Sequence, residues 1–317
     1  MTWNNLRSII EAHDSFLLSS HLSLDGDCVG SQLAFYWYLT SLGKKVSIYN
    51  HDDPPRKFSF LRNSNTMHTT LPSEAFDVLA VLDCSNLARL GWDTSPYLEL
   101  PVINIDHHRD NGFFGRVNVV DTKAAATGEI IYRFFSDEGV AFPPEVAEAL
   151  YTAIVTDTGG FRFPNTTGSI LRICADLVEK GADPSKTYEK VYASLSCGAL
   201  LLQSRIWSTL KFFFDGKVCS LEMPLSLLDE LGVPYSDSEG MADVTTTAAG
   251  VQVGILTKHN VVETHFSLRS KGIIDVGRIA QKIPGGGGHS SAAGCTVQLP
   301  LLQALEKMLA IIEGELR

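Results

Sequence analysis

Short apolar runs alternate with longer amphipathic patterns over the first half of the chain. The apolar runs have the length and continuous hydrophobicity of strands that are buried on both faces, and they read SFLLSS, KVSIYN, DVLAVLD, PVINIDHH and RVNVVD. Helical spacing of apolar residues is found in CVGSQLAFYWYLTSLG and AAATGEIIYRFFSDEG. This alternation predicts an α/β domain whose sheet is mostly parallel and covered on both faces.

The pattern changes in the second half of the chain. Helical patterns dominate from about Pro144 to Leu210, and a final helical segment reads LLQALEKMLAIIEGEL. Between them lie the strand-like runs KVCSLEMP, VQVGILTKHN, VVETHFSLRS and GCTVQLP. We therefore predict a first domain over residues 1–185, a helical linker over 186–200 and a smaller α/β domain over 201–317.

Composition limits the classes of protein to which the chain can belong. Its 317 residues carry a formal net charge of −10, which argues against a protein that grips long duplexes through a basic face. Short nucleotides remain compatible with this charge, because divalent cations bound by carboxylates reverse the local field. The six cysteines form no CxxC pair, so we expect small buried apolar residues rather than a zinc–sulfur site or disulfides.

The chain shows no targeting or membrane segment. No stretch approaches the roughly 18 apolar residues that a membrane span requires, and no basic region precedes the modest apolar run near the N-terminus. We expect a cytoplasmic protein without membrane contact.

Acidic and imidazole side chains follow three of the predicted strands. SFLLSS runs into His21, DVLAVL into Asp83, and PVINI into Asp106, His107 and His108. In open α/β sheets, ligands bind beyond the carboxyl ends of the strands. We therefore expect these side chains to meet in one crevice, although they are far apart in the sequence.

Two further acidic segments extend this set, and each also has a structural interpretation. HLSLDGD supplies His21, Asp25 and Asp27 on one loop, but a DxD pair is equally typical of a helix cap or a solvated turn. Asp157 precedes two glycines that would end a helix. Taken singly, Asp83 is as compatible with capping as with metal binding, and Asp157 is more typical of a cap than of a catalytic residue.

The combination favours metal binding. Two histidines and four or five carboxylates make an oxygen-rich site with some nitrogen, which suits manganese, magnesium or iron better than structural zinc. There are enough ligands for two ions roughly 3.5 to 4 Å apart, the arrangement that activates water against phosphorus esters.

A second candidate segment is PGGGGHSSAAG, from Pro284 to Gly294. Its consecutive glycines let backbone amides approach an anion, and His289 and Ser290 add side-chain donors. Glycine runs also form flexible turns, so this interpretation remains open. Arg269, at the end of VVETHFSLRS, can bind a phosphate in bidentate fashion or lie at the surface as a strand-end residue.

These residues resemble the DHH phosphoesterases, and within them the nanoRNase type that joins a DHH domain to a DHH-associated domain. HLSLDGDCVGS resembles the first motif of the family, VLDCSN the second, IDHH the third and TDTGGF the fourth. PGGGGHSSAAG resembles the substrate loop of the associated domain. The resemblance covers nearly the whole chain, and it implies an active-site cleft between the two domains.

The resemblance also implies a role for each residue. It implies two divalent ions, with Mn²⁺ preferred and Mg²⁺, Co²⁺ or Fe²⁺ as alternatives. One ion is held by His21, Asp25 and Asp83. The other is held by Asp27, Asp83, His107 and Asp157, so that Asp83 bridges the pair. Asp106 orients an imidazole, and His108 lies near the reacting phosphate as a donor or general acid. The substrate is bound by Arg269, Gly286, Gly287, Gly288, His289 and Ser290.

The implied activity is hydrolysis of very short nucleotides by a metal-activated water. The expected substrates are single-stranded RNA or DNA of two to five nucleotides, linear dinucleotides and nucleotide bisphosphates such as 3'-phosphoadenosine 5'-phosphate. Three alternatives stay open: a cyclic di-AMP phosphodiesterase, an inorganic pyrophosphatase and a non-catalytic nucleotide sensor. A homodimer is also left open.

Overall fold

The protein is described by a computed structural model over residues 3–97, 99–238, 240–272, 274–288 and 290–316. The chain divides into two compact units, one up to Ser194 and the other from Leu195.

The first unit is built on a six-stranded sheet in which every neighbouring pair is parallel. Its strands are β1 Ser15–Ser19, β2 Lys45–Tyr49, β3 Met67–His68, β4 Val78–Leu82, β5 Val102–Asp106 and β6 Val117–Val120. They lie in the order β3-β2-β1-β4-β5-β6. The order reverses between β1 and β4, which is where open α/β sheets place their ligand sites.

The helices that accompany this sheet contribute their apolar residues to the core on one of its faces. They are α1 Asn4–Ala12, α2 Gly26–Ser41, α3 Thr127–Asp137, α4 Pro144–Asp157, α5 Gly168–Glu179 and α6 Pro184–Tyr192. Short 3₁₀ turns lie at Arg56–Phe58, Ser64–Thr66, Leu87–Leu90 and Ser95–Tyr97. Phe16 and Leu18 of β1 enter one apolar core and Leu17 enters another, so both faces of the sheet are buried.

The contact between α2 and α4 depends on a glycine. A Cβ at Gly30 would lie 2.3 Å from the carbonyl oxygen of Ala149, which is closer than any side chain allows. Asp27 lies in the first turn of α2, and Asp157 is the last residue of α4. The close approach of the two helices therefore brings these two acidic side chains into the same region.

The second unit contains a mixed six-stranded sheet in the order β11-β12-β10-β9-β8-β7. Its strands are β7 Lys211–Phe213, β8 Val218–Pro224, β9 Val253–His259, β10 Thr264–Ser270, β11 Gly287–Gly288 and β12 Ala292–Val297. Its helices are α7 Cys197–Trp207, α8 Ser226–Leu231, α9 Val276–Gln281 and α10 Leu301–Glu313, with 3₁₀ turns at Tyr235–Ser238 and Met241–Thr246. The pair β8–β9 is parallel and the other pairs are antiparallel.

The α/β fold with a parallel first sheet and a smaller second α/β unit is confirmed. Three short strands, β3, β7 and β11, were not indicated by the sequence, because runs of two or three residues carry no measurable periodicity. The division between the units falls within the predicted linker of residues 186–200. Across the part of the chain that the structure describes, no helix combines the length and hydrophobicity of a membrane span.

Candidate metal centre and substrate-binding segment

The predicted ligands lie at the point where the strand order reverses. His21 follows β1 by two residues, Asp83 follows β4 directly, and Asp106 is the last residue of β5. Asp83 has a backbone φ of 53°, in the left-handed region that aspartate tolerates better than most residues. The chain therefore turns directly after β4, and this turn places the carboxylate of Asp83 at the end of the strand.

Asp83 presents its two carboxylate oxygens to different groups of side chains. Its Oδ2 lies 3.7 Å from Nε2 of His21, whereas its Oδ1 lies 3.5 Å from Nε2 of His107. The residue is 1% exposed. Burial alone would raise the pKa of Asp83, but the imidazoles of His107, His21 and His108 outweigh it and the pKa is lowered.

The first group contains His21, Asp25, Cys28 and Asp83, with ligand atoms all within 4.8 Å of one another. His21 donates its Nδ1 hydrogen to the carbonyl oxygen of Leu22 at 2.6 Å, so the lone pair is on Nε2, which faces Cys28 and Asp83. The neutral thiol of Cys28 completes the group, and burial raises its pKa well above the usual value.

Asp25 has one of the two roles that the sequence left open, that of a helix cap. It is the N-cap of α2, and its Oδ1 accepts hydrogen bonds from the amides of Asp27 and Cys28 at 3.0 Å each. A cap of this kind uses one carboxylate oxygen, so the second oxygen remains available as a ligand.

The second group contains Asp27, His107 and Asp157. Nε2 of His107 lies 3.7 Å from Oδ2 of Asp27 and 3.6 Å from Oδ2 of Asp157. The Nδ1 hydrogen of His107 points to the carbonyl oxygen of Ala124 at 3.3 Å. As in the first group, the carbonyl contact leaves Nε2 facing the carboxylates.

The N-terminus of α3 supports both groups, a feature that the sequence did not indicate. The backbone amides of Thr127 and Gly128 donate to the two oxygens of Asp27 at 2.6 and 2.9 Å. The hydroxyl of Ser31 donates to Asp27 at 2.9 Å, and that of Thr127 donates to Oδ1 of Asp83 at 3.1 Å. Thr127 therefore contacts both carboxylates.

The electrostatics of the second group favour a bound cation. Burial is the main cause that raises the pKa of Asp27 well above its usual value, and repulsion from Asp83, Asp157 and Asp25 adds to it. Burial also raises the pKa of Asp157 to about 7; the His107 imidazole opposes this rise and the Asp83 carboxylate adds to it. Carboxylates packed this closely need positive charge, and the oxygen and imidazole donors fit divalent ions of the manganese and magnesium class.

Asp106 acts on His108 rather than on His107. It is fully buried, its Oδ1 lies 2.7 Å from Nδ1 of His108, and Asn111 donates to its Oδ2 at 2.6 Å. Burial lowers the pKa of His108, but the hydrogen bond to Asp106 and the charge of Asp83 outweigh it and raise the pKa to about 9. In the absence of bound cations, these contacts favour the protonated form of His108.

In the second unit, Arg269 lies near the end of β10 and is engaged with its own domain. Its Nε donates to Oδ1 of Asp243 at 2.7 Å, and Nη1 donates to the carbonyl oxygen of Leu268 at 3.1 Å. The remaining guanidinium nitrogen, Nη2, completes a face that could meet a phosphate.

The glycine segment is more ordered than a flexible turn. Gly287 and Gly288 form β11 against Gly294 and Ala293 of β12, and a Cβ at Gly286 would lie 2.2 Å from the carbonyl oxygen of Ala280. Ser290 is exposed and accepts a hydrogen bond on its backbone carbonyl oxygen from the amide of Val276. His289, the remaining predicted substrate ligand, lies outside the described residues.

Comparison with known proteins identifies the two parts of the chain. The model of the DHH family, N-terminal domain, matches residues 15–154, and the DHHA1 domain matches residues 215–317. The chain is 32% identical to the bifunctional oligoribonuclease and PAP phosphatase NrnA of Thermus thermophilus, over 99% of this chain and 95% of that protein. It is 24% identical to the protein of the same name from Bacillus subtilis, over 91% of each chain.

Solved structures show the same fold. An exopolyphosphatase-related protein from Bacteroides fragilis superimposes with a TM-score of 0.92 at 26% identity, covering 98% of this chain and 95% of that one. RecJ of Thermus thermophilus in complex with Mn²⁺ is similar in fold, with a TM-score of 0.52 at 14% identity. The match covers 98% of this chain and 54% of RecJ. The chain therefore belongs to the DHH family of phosphoesterases, with a DHHA1 domain following its DHH domain.

Proposed function

We propose that the chain is a two-cation phosphoesterase that hydrolyses oligonucleotides of two to five residues to mononucleotides and also dephosphorylates 3'-phosphoadenosine 5'-phosphate. The observation that carries the proposal is the Asp83 carboxylate, whose two oxygens face two separate groups of ligands. The names of the relatives from Thermus thermophilus and Bacillus subtilis support this choice of substrates.

The two groups supply the two sets of ligands. We propose that one cation is held by His21, Asp25 and Asp83, and the other by Asp27, Asp83, His107 and Asp157. Mn²⁺ is the ion that we favour, since most of the donors are carboxylate oxygens and imidazole nitrogens. When bound, the cations would supply positive charge that activates water and stabilises the negative charge on the phosphate oxygens in the transition state.

The residues of the chain perform the remaining tasks. Thr127 and the amides at the start of α3 hold Asp27 and Asp83 in position, so the ligands need no rearrangement when a cation binds. We propose that His108 carries the proton, because its hydrogen bond to Asp106 favours the imidazolium form. We propose that His108 donates this proton or a hydrogen bond to the phosphate oxygen that leaves.

The second unit supplies substrate contacts. We propose that Arg269 pairs with a phosphate group of the nucleotide, and that Gly286, Gly287, Gly288, His289 and Ser290 bind the same end of the substrate. Asp243 already holds Nε of Arg269 and the carbonyl oxygen of Leu268 holds Nη1, so a phosphate would meet the guanidinium through Nη2. Such remote contacts bind and position the substrate rather than break the bond.

A substrate panel tests the proposal. The purified chain is incubated with Mn²⁺ and, separately, with the dinucleotide pApA, 3'-phosphoadenosine 5'-phosphate, cyclic di-AMP and pyrophosphate, and the products are separated by chromatography. We expect mononucleotide from the first two substrates, and no product from the Asp83→Ala variant. Preferred cleavage of cyclic di-AMP or pyrophosphate would replace the proposed substrate class. Tight binding of pApA without turnover would identify a sensor.

A further inference from the structure

Cys28 belongs to the apolar core of the first unit, but its sulfur also lies among the proposed metal ligands. It is in the first turn of α2 and is fully buried. Its Sγ lies 3.0 Å from Nε2 of His21 and 3.3 Å from Oδ2 of Asp83. The sulfur therefore faces the same two atoms that we propose as ligands of the first cation.

The spacing of these atoms is that of donors sharing one ion. Metal–nitrogen and metal–oxygen bonds of about 2.0 to 2.2 Å and metal–sulfur bonds of about 2.3 Å place adjacent donors roughly 3 to 3.7 Å apart. The three separations among Sγ, Nε2 of His21 and Oδ2 of Asp83 are 3.0, 3.3 and 3.7 Å. A cation at this position would be within reach of the sulfur as well as of the nitrogen and oxygen.

The other cysteines provide a contrast. Cys84 follows Asp83 directly in the chain, but its thiol donates a hydrogen bond to the carbonyl oxygen of Asn86 at 3.1 Å. Cys295 packs in the apolar core of the second unit, and Cys197 is exposed. Among the residues that the structure describes, Cys28 is the one cysteine that belongs to a group with metal-ligand spacing.

We propose that Cys28 is a ligand of the first cation and makes this position selective for softer ions, Co²⁺, Zn²⁺ or Fe²⁺, over Mg²⁺. Binding breaks the S–H bond and forms a sulfur–metal bond, and the proton leaves to the solvent. A thiolate added to His21, Asp25 and Asp83 shifts the donor set away from the hard oxygen ligands that magnesium prefers. This inference rests on the two-cation site of the proposed function, but it concerns which ion occupies one half of it.

Cobalt spectroscopy tests the inference without an activity measurement. The full chain is freed of metal, titrated with Co²⁺ and followed in the near ultraviolet, where thiolate-to-cobalt charge transfer absorbs. We expect the band in the wild type and in Cys197→Ser, the matched control, and its loss in Cys28→Ser and Cys28→Ala. In competition titrations, we expect Cys28→Ser to lower the preference for Zn²⁺ over Mg²⁺ at least tenfold.

The outcomes separate this inference from the proposed function. Cobalt uptake by the wild type without the charge-transfer band, or a band that persists in both Cys28 variants, would show that the sulfur is not a ligand. Circular dichroism confirms that each variant is folded before its spectrum is compared. Failure of the wild type to bind any divalent ion would instead remove the two-cation site on which both proposals depend.

Discussion

Removing the charge of Asp157 is expected to stabilise the metal-free protein at alkaline pH while weakening its response to cations. In the folded chain the pKa of Asp157 is raised from 3.8 to about 7. A carboxyl group with a raised pKa contributes stability below its unfolded value, and this stability is lost as the pH rises through the folded value. The full loss for Asp157 is about 4 kcal/mol, of which about 3 kcal/mol falls between pH 5 and pH 8.

Asp157→Asn removes this ionisation and keeps the size of the side chain. Without cations, we expect its free energy of unfolding to exceed that of the wild type at pH 8, and the difference between the two proteins to grow by about 3 kcal/mol from pH 5 to pH 8. With Mn²⁺ the order reverses, because the wild type binds the ion more tightly and gains more from mass action.

Denaturant unfolding with EDTA or with Mn²⁺, at pH 5 and pH 8, measures these differences. Tryptophan fluorescence reports mainly on the first unit, which contains three of the four tryptophans, Trp3, Trp37 and Trp92, whereas the second contains Trp207. A metal-free variant that is less stable than the wild type by the same amount at both pH values would refute the reasoning. Equal stabilisation of both proteins by Mn²⁺ would show that Asp157 is not a ligand.

Three further predictions concern the supporting and substrate-binding residues. Thr127→Val removes the hydroxyl donor to Asp83, and we expect the Mn²⁺ affinity measured by calorimetry to fall about 10- to 100-fold. Thr127→Ser, which keeps the hydroxyl, should restore it. Unchanged affinity in the valine variant would contradict the positioning role. Asp106→Asn weakens the partner of the imidazolium, so the pKa of His108 in the metal-free protein, about 9, should fall in an NMR titration; an unchanged pKa would exclude Asp106 as its cause. Arg269→Ala should lower kcat/KM for pApA about 10- to 100-fold, the effect of losing one charge-assisted contact of about 1.5 to 3 kcal/mol. Slow cleavage of bis(p-nitrophenyl) phosphate should be preserved. Equal loss of activity on both substrates would show that Arg269 takes part in breaking the bond.

The sequence predicted the side chains that gather at the first sheet because a simple rule connects them. Apolar runs that end in His21, Asp83 and Asp106 are strands, and parallel strands bring their carboxyl ends to the same edge. The rule needs the type of each element but not the strand order. Asp157 follows from a different indication, the two glycines that end α4, and both have positive φ in the structure.

The supporting contacts could not be predicted in this way. The amides that hold Asp27 come from Thr127 and Gly128, which are 100 and 101 residues away in the chain. Backbone donors have no residue type to recognise, and their position depends on how α3 packs against α2. Cys28 was expected to be an apolar filler for a related reason: the sequence gives its burial but not which atoms surround its sulfur.

Arg269 shows how far a residue type alone can indicate a role. A surface arginine at the end of a strand and a phosphate ligand were both open at the level of the sequence, and the contact with Asp243 is compatible with either. Nε is held by Asp243 and Nη1 by the carbonyl oxygen of Leu268, so the guanidinium plane is fixed and Nη2 is the nitrogen that it presents to an anion. A phosphate would then compete with solvent and not with Asp243. For Arg269, as for Asp25 at the cap of α2, a structural contact uses part of the side chain and orients the rest, so structural and functional roles are not exclusive.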